Sequence, residues 1–348
     1  MNTLKVRYDA LGAYDETRTY WDMVSEVLCQ GHLTDSALRI NADVLPQGRY
    51  VERASGAERK PRVARVIAPV EGMEGEDIYA RPNGTAYHAR AWGDHGDVVA
   101  LRKARSITSR AFGAGGGSPM FALAYGAPGC GKTALVEAAF GTEMRTLMGT
   151  GDTETADLIG GYVQTPGGGF EWVDGDLVKC AENGWVYFID EIGLIDPKVL
   201  SLVYGLMDGR RELTINANPE RGTVVAHPDF YVVAATNPNA PGVRLSEALL
   251  SRFTLQVEMT TDWNLARKLG CPTTMVTAAQ NLAKKQIAHE VSWAPQFREL
   301  LAFRDIATEF GTTFAISNLL AAAPEMDRPV VADILSRAFG VECKAAKI

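Results

Sequence analysis

Long hydrophobic runs are absent from this sequence of 348 residues, and so is a leader-like start. No apolar stretch approaches the roughly 20 residues that a helix needs to span a bilayer. The first residues, Met1–Asp9, contain no apolar segment of the kind that secretory signals carry. We therefore expect a cytoplasmic protein without membrane association.

Cysteine and histidine are scarce, with five of each. The cysteines form no C-x-x-C pair and the histidines lack H-E-x-x-H spacing, so neither a zinc cluster nor a helical metal site is predicted. We expect reduced thiols, not a disulfide framework. An excess of positive charge is also missing: the net charge of −7 disfavours non-specific binding to nucleic acid.

The chain before the first clear strand differs from the rest, and residues 1–95 are predicted to be an N-terminal extension of uncertain fold. Tyr20–Leu28 has the pattern of an amphipathic helix, and the charge-rich Arg49–Arg65 is typical of a solvated loop. Arg81–Gly84 carries a turn signature. Ala100–Phe112 then has helical character with several basic residues.

From residue 96 to 260, short apolar runs alternate with helical stretches, which predicts an α/β domain with a mainly parallel sheet flanked by helices. The predicted strands are Met120–Tyr125, Trp185–Ile189, Tyr231–Ala235 and Thr254–Val257, with a helix at Thr133–Phe140. After residue 260 the strand signals stop, and residues 261–348 are predicted to form a small all-helical domain. Its predicted helices are Asn264–Leu269, Thr274–His289, Pro295–Phe310 and Val330–Phe339.

A phosphate-binding loop joins the first of these strands to its helix. It matches G-x-x-x-x-G-K-[ST] in full, with the residues Gly126, Ala127, Pro128, Gly129, Cys130, Gly131, Lys132 and Thr133. Glycines let backbone N–H groups turn inward to cradle phosphate oxygens at the helix N-terminus. Lys132 supplies positive charge to the β- and γ-phosphates, and the Thr133 hydroxyl is a ligand for Mg²⁺. The alternative is a glycine-rich turn with a surface lysine.

Two adjacent acids follow the strand Trp185–Ile189, where α/β proteins bind their ligands. Asp190 would hold Mg²⁺, and Glu191 would act as general base on the attacking water. The plain alternative is a strand that meets a helix N-cap.

Two further polar positions are candidates for the same site. Asn237 follows the strand Tyr231–Ala235 and would orient the water against the γ-phosphate; the alternative is an Asn-Pro turn. Arg252 ends a short helical stretch and would stabilise the transferring phosphoryl group from a neighbouring subunit. Considered in isolation, it is an ordinary cation at a helix C-terminus.

These elements, in this order, resemble the AAA+ ATPases, and more finely the MoxR and dynein-related branch that includes midasin. The finer resemblance lies in Gly151–Tyr162, in Gly169–Val178, which is similar to that branch's helix-2 insert hairpin, and in Gly222–Phe230. It covers Asp97–Glu309.

The resemblance implies a P-loop AAA+ core followed by a helical lid. It also implies an ATPase that uses ATP and Mg²⁺, and a homo-oligomeric ring, usually a hexamer. Walker A is then Gly126–Thr133, Walker B is Asp190 and Glu191, sensor 1 is Asn237 and the arginine finger is Arg252.

Three further predictions concern positions that depart from the family pattern or that have an open alternative. Arg298 is the candidate for sensor 2, and a solvated arginine paired with nearby acids is the alternative. Cys130 stands where members usually have Thr or Ser, which predicts sensitivity to alkylation. Tyr87 or Arg90 is a candidate for stacking on the base of the nucleotide. The alternative is a structural turn in which the tyrosine belongs to the core.

The biological role is open between three hypotheses. One is a ring that remodels or activates a protein partner. The second is a motor associated with nucleic acid, for which Arg49–Arg65 and the basic stretch Arg102–Arg105 are the support. The third is a structural ring switched by nucleotide, against which Glu191, Asn237 and Arg252 argue.

Overall fold

The structure is a computed structural model that describes residues 78–113 and 118–345. The chain divides into two compact units, residues 65–163 with 172–348, and residues 1–64 with 164–171. Of the second unit only residues 164–171 are described. The predicted helix Tyr20–Leu28 and the loop Arg49–Arg65 lie outside the described residues.

The described chain begins with small antiparallel pairs and a helix. Their bounds are β1 (Ile78–Ala80), β2 (Ala86–His88), β3 (Ala91–Trp92), β4 (His95–Gly96) and α1 (Asp97–Gly113). The turn between β1 and β2 is closed by Gly84 N, which donates to Arg81 O at 2.9 Å, so the predicted turn is confirmed. Tyr79 and Tyr87 are buried and belong to the core of the domain that follows.

Strands and helices then alternate. In chain order they are β5 (Ala122–Tyr125), α2 (Lys132–Phe140), β6 (Met144–Met148), α3 (Thr155–Ile159), β7 (Gly160–Gln164), β8 (Phe170–Asp174), α4 (Asp176–Asn183), β9 (Val186–Asp190), α5 (Pro197–Met207), β10 (Glu212–Thr214), β11 (Thr223–Val225), β12 (Tyr231–Thr236), α6 (Glu247–Leu250) and β13 (Leu255–Glu258). The pairs β7–β8 and β10–β11 form separate two-stranded sheets.

Five of these strands form one parallel sheet in the order β13-β5-β12-β9-β6. Every residue of β9 and β12 is buried, because helices cover both faces at the middle of the sheet. The four predicted strands are confirmed. The edge strand β6 was not predicted, since it has no continuous apolar run and remains partly exposed.

The C-terminal region is helical, as predicted. Its helices are α7 (Trp263–Lys268), α8 (Thr273–Ile287), α9 (Phe297–Phe310), α10 (Thr312–Ala322) and α11 (Arg328–Phe339). They enclose a hydrophobic cluster of their own, which includes Met275, Leu300 and Leu335. Helix α10 was not predicted; Gly311, at φ 86°, separates it from α9. Within the described ranges, no helix has the length and apolarity that crossing a membrane requires.

Candidate functional site

The glycine-rich loop connects β5 to α2 at the carboxyl edge of the sheet. Gly126, Gly129 and Gly131 have φ values of 151°, 80° and 100°, which side-chain-bearing residues rarely adopt. A Cβ on Gly126 would also lie 2.2 Å from the backbone oxygen of Met259. Gly126 N donates to Thr236 O at 3.2 Å, which anchors the loop to the end of β12. The loop therefore has the curled backbone that the sequence motif predicts.

Lys132 begins α2 and is buried. Its Nζ donates to the backbone oxygens of Gly126 at 2.8 Å and Ala127 at 3.0 Å, so the ammonium lies inside the curl of the loop and not on the surface. The interpretation of Lys132 as a surface lysine is thereby wrong.

Cys130 is fully buried in the loop, and burial raises the pKa of its thiol. Because the thiolate is the reactive form, the predicted sensitivity to alkylation is not supported. Here the thiol packs as a small apolar group.

The carboxylate of Asp190, which is predicted to belong to Walker B, lies in contact with the loop. Thr133 Oγ1 donates to Asp190 Oδ2 at 2.7 Å, and the backbone N of Glu191 donates to Asp190 Oδ1 at 3.0 Å. Asp190 itself is buried at the end of β9. Glu191 has left-handed backbone angles, φ 52° and ψ 42°. The sheet thus brings the Thr133 hydroxyl to the adjacent acids Asp190 and Glu191, which lie far from Thr133 in the sequence.

This oxygen set fits Mg²⁺. No group of three or more His, Cys, Asp or Glu side chains in the described part of the chain could hold a metal alone. Mg²⁺ in nucleotide sites is held by one or two protein oxygens together with substrate phosphates. A hydroxyl and a carboxylate oxygen 2.7 Å apart provide that kind of partial set.

A cavity of about 760 Å³ opens beside the loop, within the size range of small-molecule sites. On one side it is lined by Pro128, Gly129, Lys132, Thr133, Asp190 and Glu191. On the other side it is lined by residues of β2 and of the helical region, including His88, Leu265, Phe297, Arg298 and Arg304. A ligand in this cavity would contact both the α/β domain and the helical region.

Arg298 lies at the start of α9, against the loop. Its backbone N donates to Gly129 O at 3.2 Å, and its side chain lines the cavity. The neighbouring acid, Glu299, is engaged by its own helix, because its Oε2 accepts from Gln296 N at 2.9 Å. The geometry is compatible with the sensor-2 prediction.

Asn237 and Arg252 are not among the residues that line this cavity. Asn237 directly follows β12, and its Oδ1 accepts from Asn239 N at 3.2 Å, as in the alternative turn interpretation. The Arg252 guanidinium lies 4.3 Å from the ring centroid of Tyr204, and its Nη1 donates to Ala248 O at 2.6 Å. Arg252 therefore contacts Tyr204 and Ala248 of its own chain and does not line the cavity.

Arg90 is more closely tied to the site than the sequence indicated. Its guanidinium donates to Cys130 O at 2.8 Å and to Thr260 O at 2.9 Å, and it lies 5.6 Å from the Phe297 ring. It therefore joins the loop to Thr260 and Phe297, and because it also lines the cavity, its stacking on a base stays a prediction. No motif marks this arginine in the sequence.

Tyr87, the other candidate for base stacking, is a core residue. Its hydroxyl donates to Asp97 Oδ2 at 2.5 Å, and burial together with the Asp97 charge raises its pKa well above the ordinary value. The alternative of a structural tyrosine is the better description.

The two arginines of the basic stretch on α1 are occupied by internal partners. Arg102 Nε donates to Ala139 O at 2.8 Å. Arg105 pairs with Glu143 at 2.7 Å and also donates to Gly184 O at 2.7 Å. These arginines stabilise the packing of α1, so their presence does not indicate a nucleic-acid surface.

Comparison with known proteins agrees with this geometry. Residues 123–253 match the profile described as AAA domain (dynein-related subfamily). The chain contains an AAA+ domain of the dynein-related, midasin-like branch. The matched stretch begins in β5, ends just after Arg252 and includes Lys132, Asp190 and Glu191. The resemblance predicted from the motifs is confirmed at this level.

Three relatives illustrate the extent of the similarity. Midasin of Dictyostelium discoideum is 35% identical over 39% of this chain and 2% of its own length. An uncharacterized protein of Staphylococcus epidermidis is 29% identical over 62% of this chain and 83% of its own length. Another, of Staphylococcus haemolyticus, is 36% identical over 38% of this chain and 52% of its own length. The match therefore spans about half or less of two of these relatives.

Proposed function

We propose that the protein hydrolyses MgATP in a homo-oligomeric, MoxR-like ring, usually a hexamer in this branch, and uses the cycle to remodel or activate a protein partner. The observation that supports this best is the 2.7 Å contact between Thr133 Oγ1 and Asp190 Oδ2 beside Glu191. A glycine loop alone accounts for phosphate binding. A carboxylate pair held against it is what hydrolysis additionally needs.

The residues of one subunit have separate tasks in this proposal. Backbone N–H groups of Gly126–Thr133 and the Lys132 ammonium hold the phosphates. Thr133 and Asp190 hold Mg²⁺, which when bound neutralises charge on the phosphate oxygens. Glu191 accepts a proton from the attacking water.

Two more side chains complete the subunit's contribution. The amide of Asn237 orients the attacking water, and Arg298 contacts phosphate from the helical side of the cavity. Support for Arg298 is its position in the cavity wall, against Gly129.

Arg252 acts in the next subunit of the ring. Its guanidinium is held between the Tyr204 ring and the Ala248 carbonyl, and it is not among the residues that line the cavity of its own chain. An arginine presented in trans would make hydrolysis depend on assembly, because it stabilises charge on the transferring phosphoryl group.

A protein partner is favoured over nucleic acid by charge. The net charge is −7, and Arg102 and Arg105 are engaged inside the domain. Nucleic-acid binding at near-physiological salt depends on unpaired cations that contact phosphates.

The experiment is an ATP-dependent substrate trap. Glu191→Gln should bind ATP, assemble and retain a partner that wild-type protein releases, whereas Lys132→Ala should retain none. Phosphate release is measured on the same preparations. Assembly that follows ATP binding without phosphate release from the wild-type protein would contradict a motor and support a nucleotide-switched structural ring. Retention of DNA or RNA in place of protein would contradict the proposed partner class.

A further inference from the structure

The end of β6 lies directly against the turn that carries Glu191, and the closest approach is at Gly149. Gly149 is buried, and its N donates to Asp190 O at 2.8 Å. A Cβ built on Gly149 would lie 2.7 Å from the backbone oxygen of Glu191 and 2.8 and 2.9 Å from two side-chain atoms of Ile195. The backbone of Gly149 is not in the left-handed region, so lack of space alone excludes a side chain here.

The backbone of Glu191 is fixed on several sides. Its N donates to the Asp190 carboxylate at 3.0 Å, and its O accepts from Leu194 N at 3.0 Å. Its left-handed angles, φ 52° and ψ 42°, determine where the side chain leaves the turn. The same backbone oxygen faces the surface of Gly149. A displacement of this oxygen would therefore move the origin of the Glu191 carboxylate.

We propose that Gly149 is a positioning residue for Glu191. Because it has no side chain, β6 can approach the turn closely enough to hold the Glu191 backbone in place for its work on the attacking water. The inference rests on the proposed role of Glu191 as the base. Gly149 belongs neither to the phosphate-binding loop nor to the pair Asp190–Glu191, and it would affect hydrolysis only through the position of Glu191.

The size of the effect follows from the distances. Ordinary van der Waals contact with a Cβ begins at 3.4 Å, and a Cβ at position 149 would lie 2.7 Å from the Glu191 oxygen, so the two atoms must separate by about 0.7 Å in Gly149→Ala. A 1 Å misplacement can cost about a hundredfold in rate. We expect the kcat of Gly149→Ala to fall by about ten- to a hundredfold. ATP affinity should stay within about threefold, because the loop that binds the phosphates connects β5 to α2, and the three atoms nearest to a Cβ on Gly149 belong to Glu191 and Ile195.

Gly151→Ala is the matched control. Gly151 lies in the same segment, is exposed, and a Cβ placed on it would have nothing within 4 Å. Both variants add one methyl group, but only the methyl group at position 149 would overlap with Glu191. For both we would measure kcat and KM for phosphate release, the Kd for ATP by equilibrium titration, and thermal unfolding.

Three outcomes bear directly on the role of Gly149. Low kcat with retained ATP affinity in Gly149→Ala, beside normal kcat in Gly151→Ala, supports it. Equal turnover in the two variants overturns it. A parallel loss of ATP affinity and turnover also overturns it, since the effect would then be a general disturbance of the site.

A Cβ at position 149 overlaps both with the Glu191 oxygen and with the Ile195 side chain, and a second variant separates these two effects. It also shows whether Gly149→Ala fails only because it does not fold. Ile195→Ala removes the side-chain atoms that an alanine at 149 would meet, and leaves the Glu191 oxygen in place. The inference predicts that the double variant Gly149→Ala/Ile195→Ala folds and still hydrolyses slowly compared with Ile195→Ala alone. Restored turnover in the double variant would assign the effect to Ile195 and contradict the inference.

Glu191→Gln in the same assay distinguishes this inference from the proposed function. Normal turnover in Glu191→Gln would contradict the proposed role of Glu191 itself. Lost turnover in Glu191→Gln together with normal turnover in Gly149→Ala would contradict only the role of Gly149.

Discussion

Thr133→Val keeps the volume and branching of the side chain and removes only its hydroxyl. This hydroxyl donates to Asp190 Oδ2 at 2.7 Å, and Asp190 is only 6% exposed. A buried acceptor left without its donor costs about 1–3 kcal/mol. The free energy of unfolding should fall by that amount, a sizeable part of the roughly 5–15 kcal/mol that stabilises a typical domain. Urea unfolding without nucleotide measures it, and Thr133→Ser should lose little because it keeps the hydroxyl.

The same substitution separates a structural hydroxyl from a metal ligand. If Thr133 also holds Mg²⁺, the valine variant should lose most of the gain in ATP affinity that Mg²⁺ gives the wild-type protein. Calorimetric titration of ATP with and without Mg²⁺ measures this gain in wild type, Thr133→Val and Thr133→Ser. A valine variant that is destabilised yet keeps the full Mg²⁺ effect would refute the assignment of Thr133 as a ligand.

Two further predictions concern charge at the phosphates. Lys132→Ala should weaken ATP binding by about ten- to 150-fold for each charge-assisted hydrogen bond to phosphate that it removes, and unchanged affinity in equilibrium titration would rule out the phosphate-site assignment. Arg252→Ala should lower phosphate release by about a thousandfold or more while ATP binding stays normal. Mixing Arg252→Ala with Lys132→Ala subunits should restore part of the activity, because each supplies what the other lacks. Absence of recovery at every mixing ratio would contradict action in trans.

The fold was predictable where burial leaves a continuous signal. Strands β9 and β12 are covered on both faces, so each is an apolar run up to its last residue, Asp190 in β9 and Thr236 in β12. Strand β6 lies at the sheet edge with partly exposed residues, and no such run marks it. Helix α10 begins directly after Gly311 and follows α9 so closely that the pattern alone did not reveal it.

The site was predictable where its residues are contiguous. The loop and the Asp190–Glu191 pair each occur within a short motif. Contacts between residues of distant segments are not accompanied by a sequence motif. Arg90, which lies between β2 and β3, meets Cys130 O only because folding brings that segment to the loop. Gly149 meets Glu191 because β6 and β9 are neighbours in the sheet. Identifying such residues requires the register of the sheet as well as the residue types.

Hydrolysis at Glu191 is the central claim, and steady-state phosphate release measured beside ATP binding tests it most directly. Wild-type protein and Glu191→Gln are compared at the same concentration, under conditions in which both are assembled. We expect equal ATP affinity in the two proteins and loss of phosphate release in Glu191→Gln. Phosphate release by Glu191→Gln at the wild-type rate would contradict it.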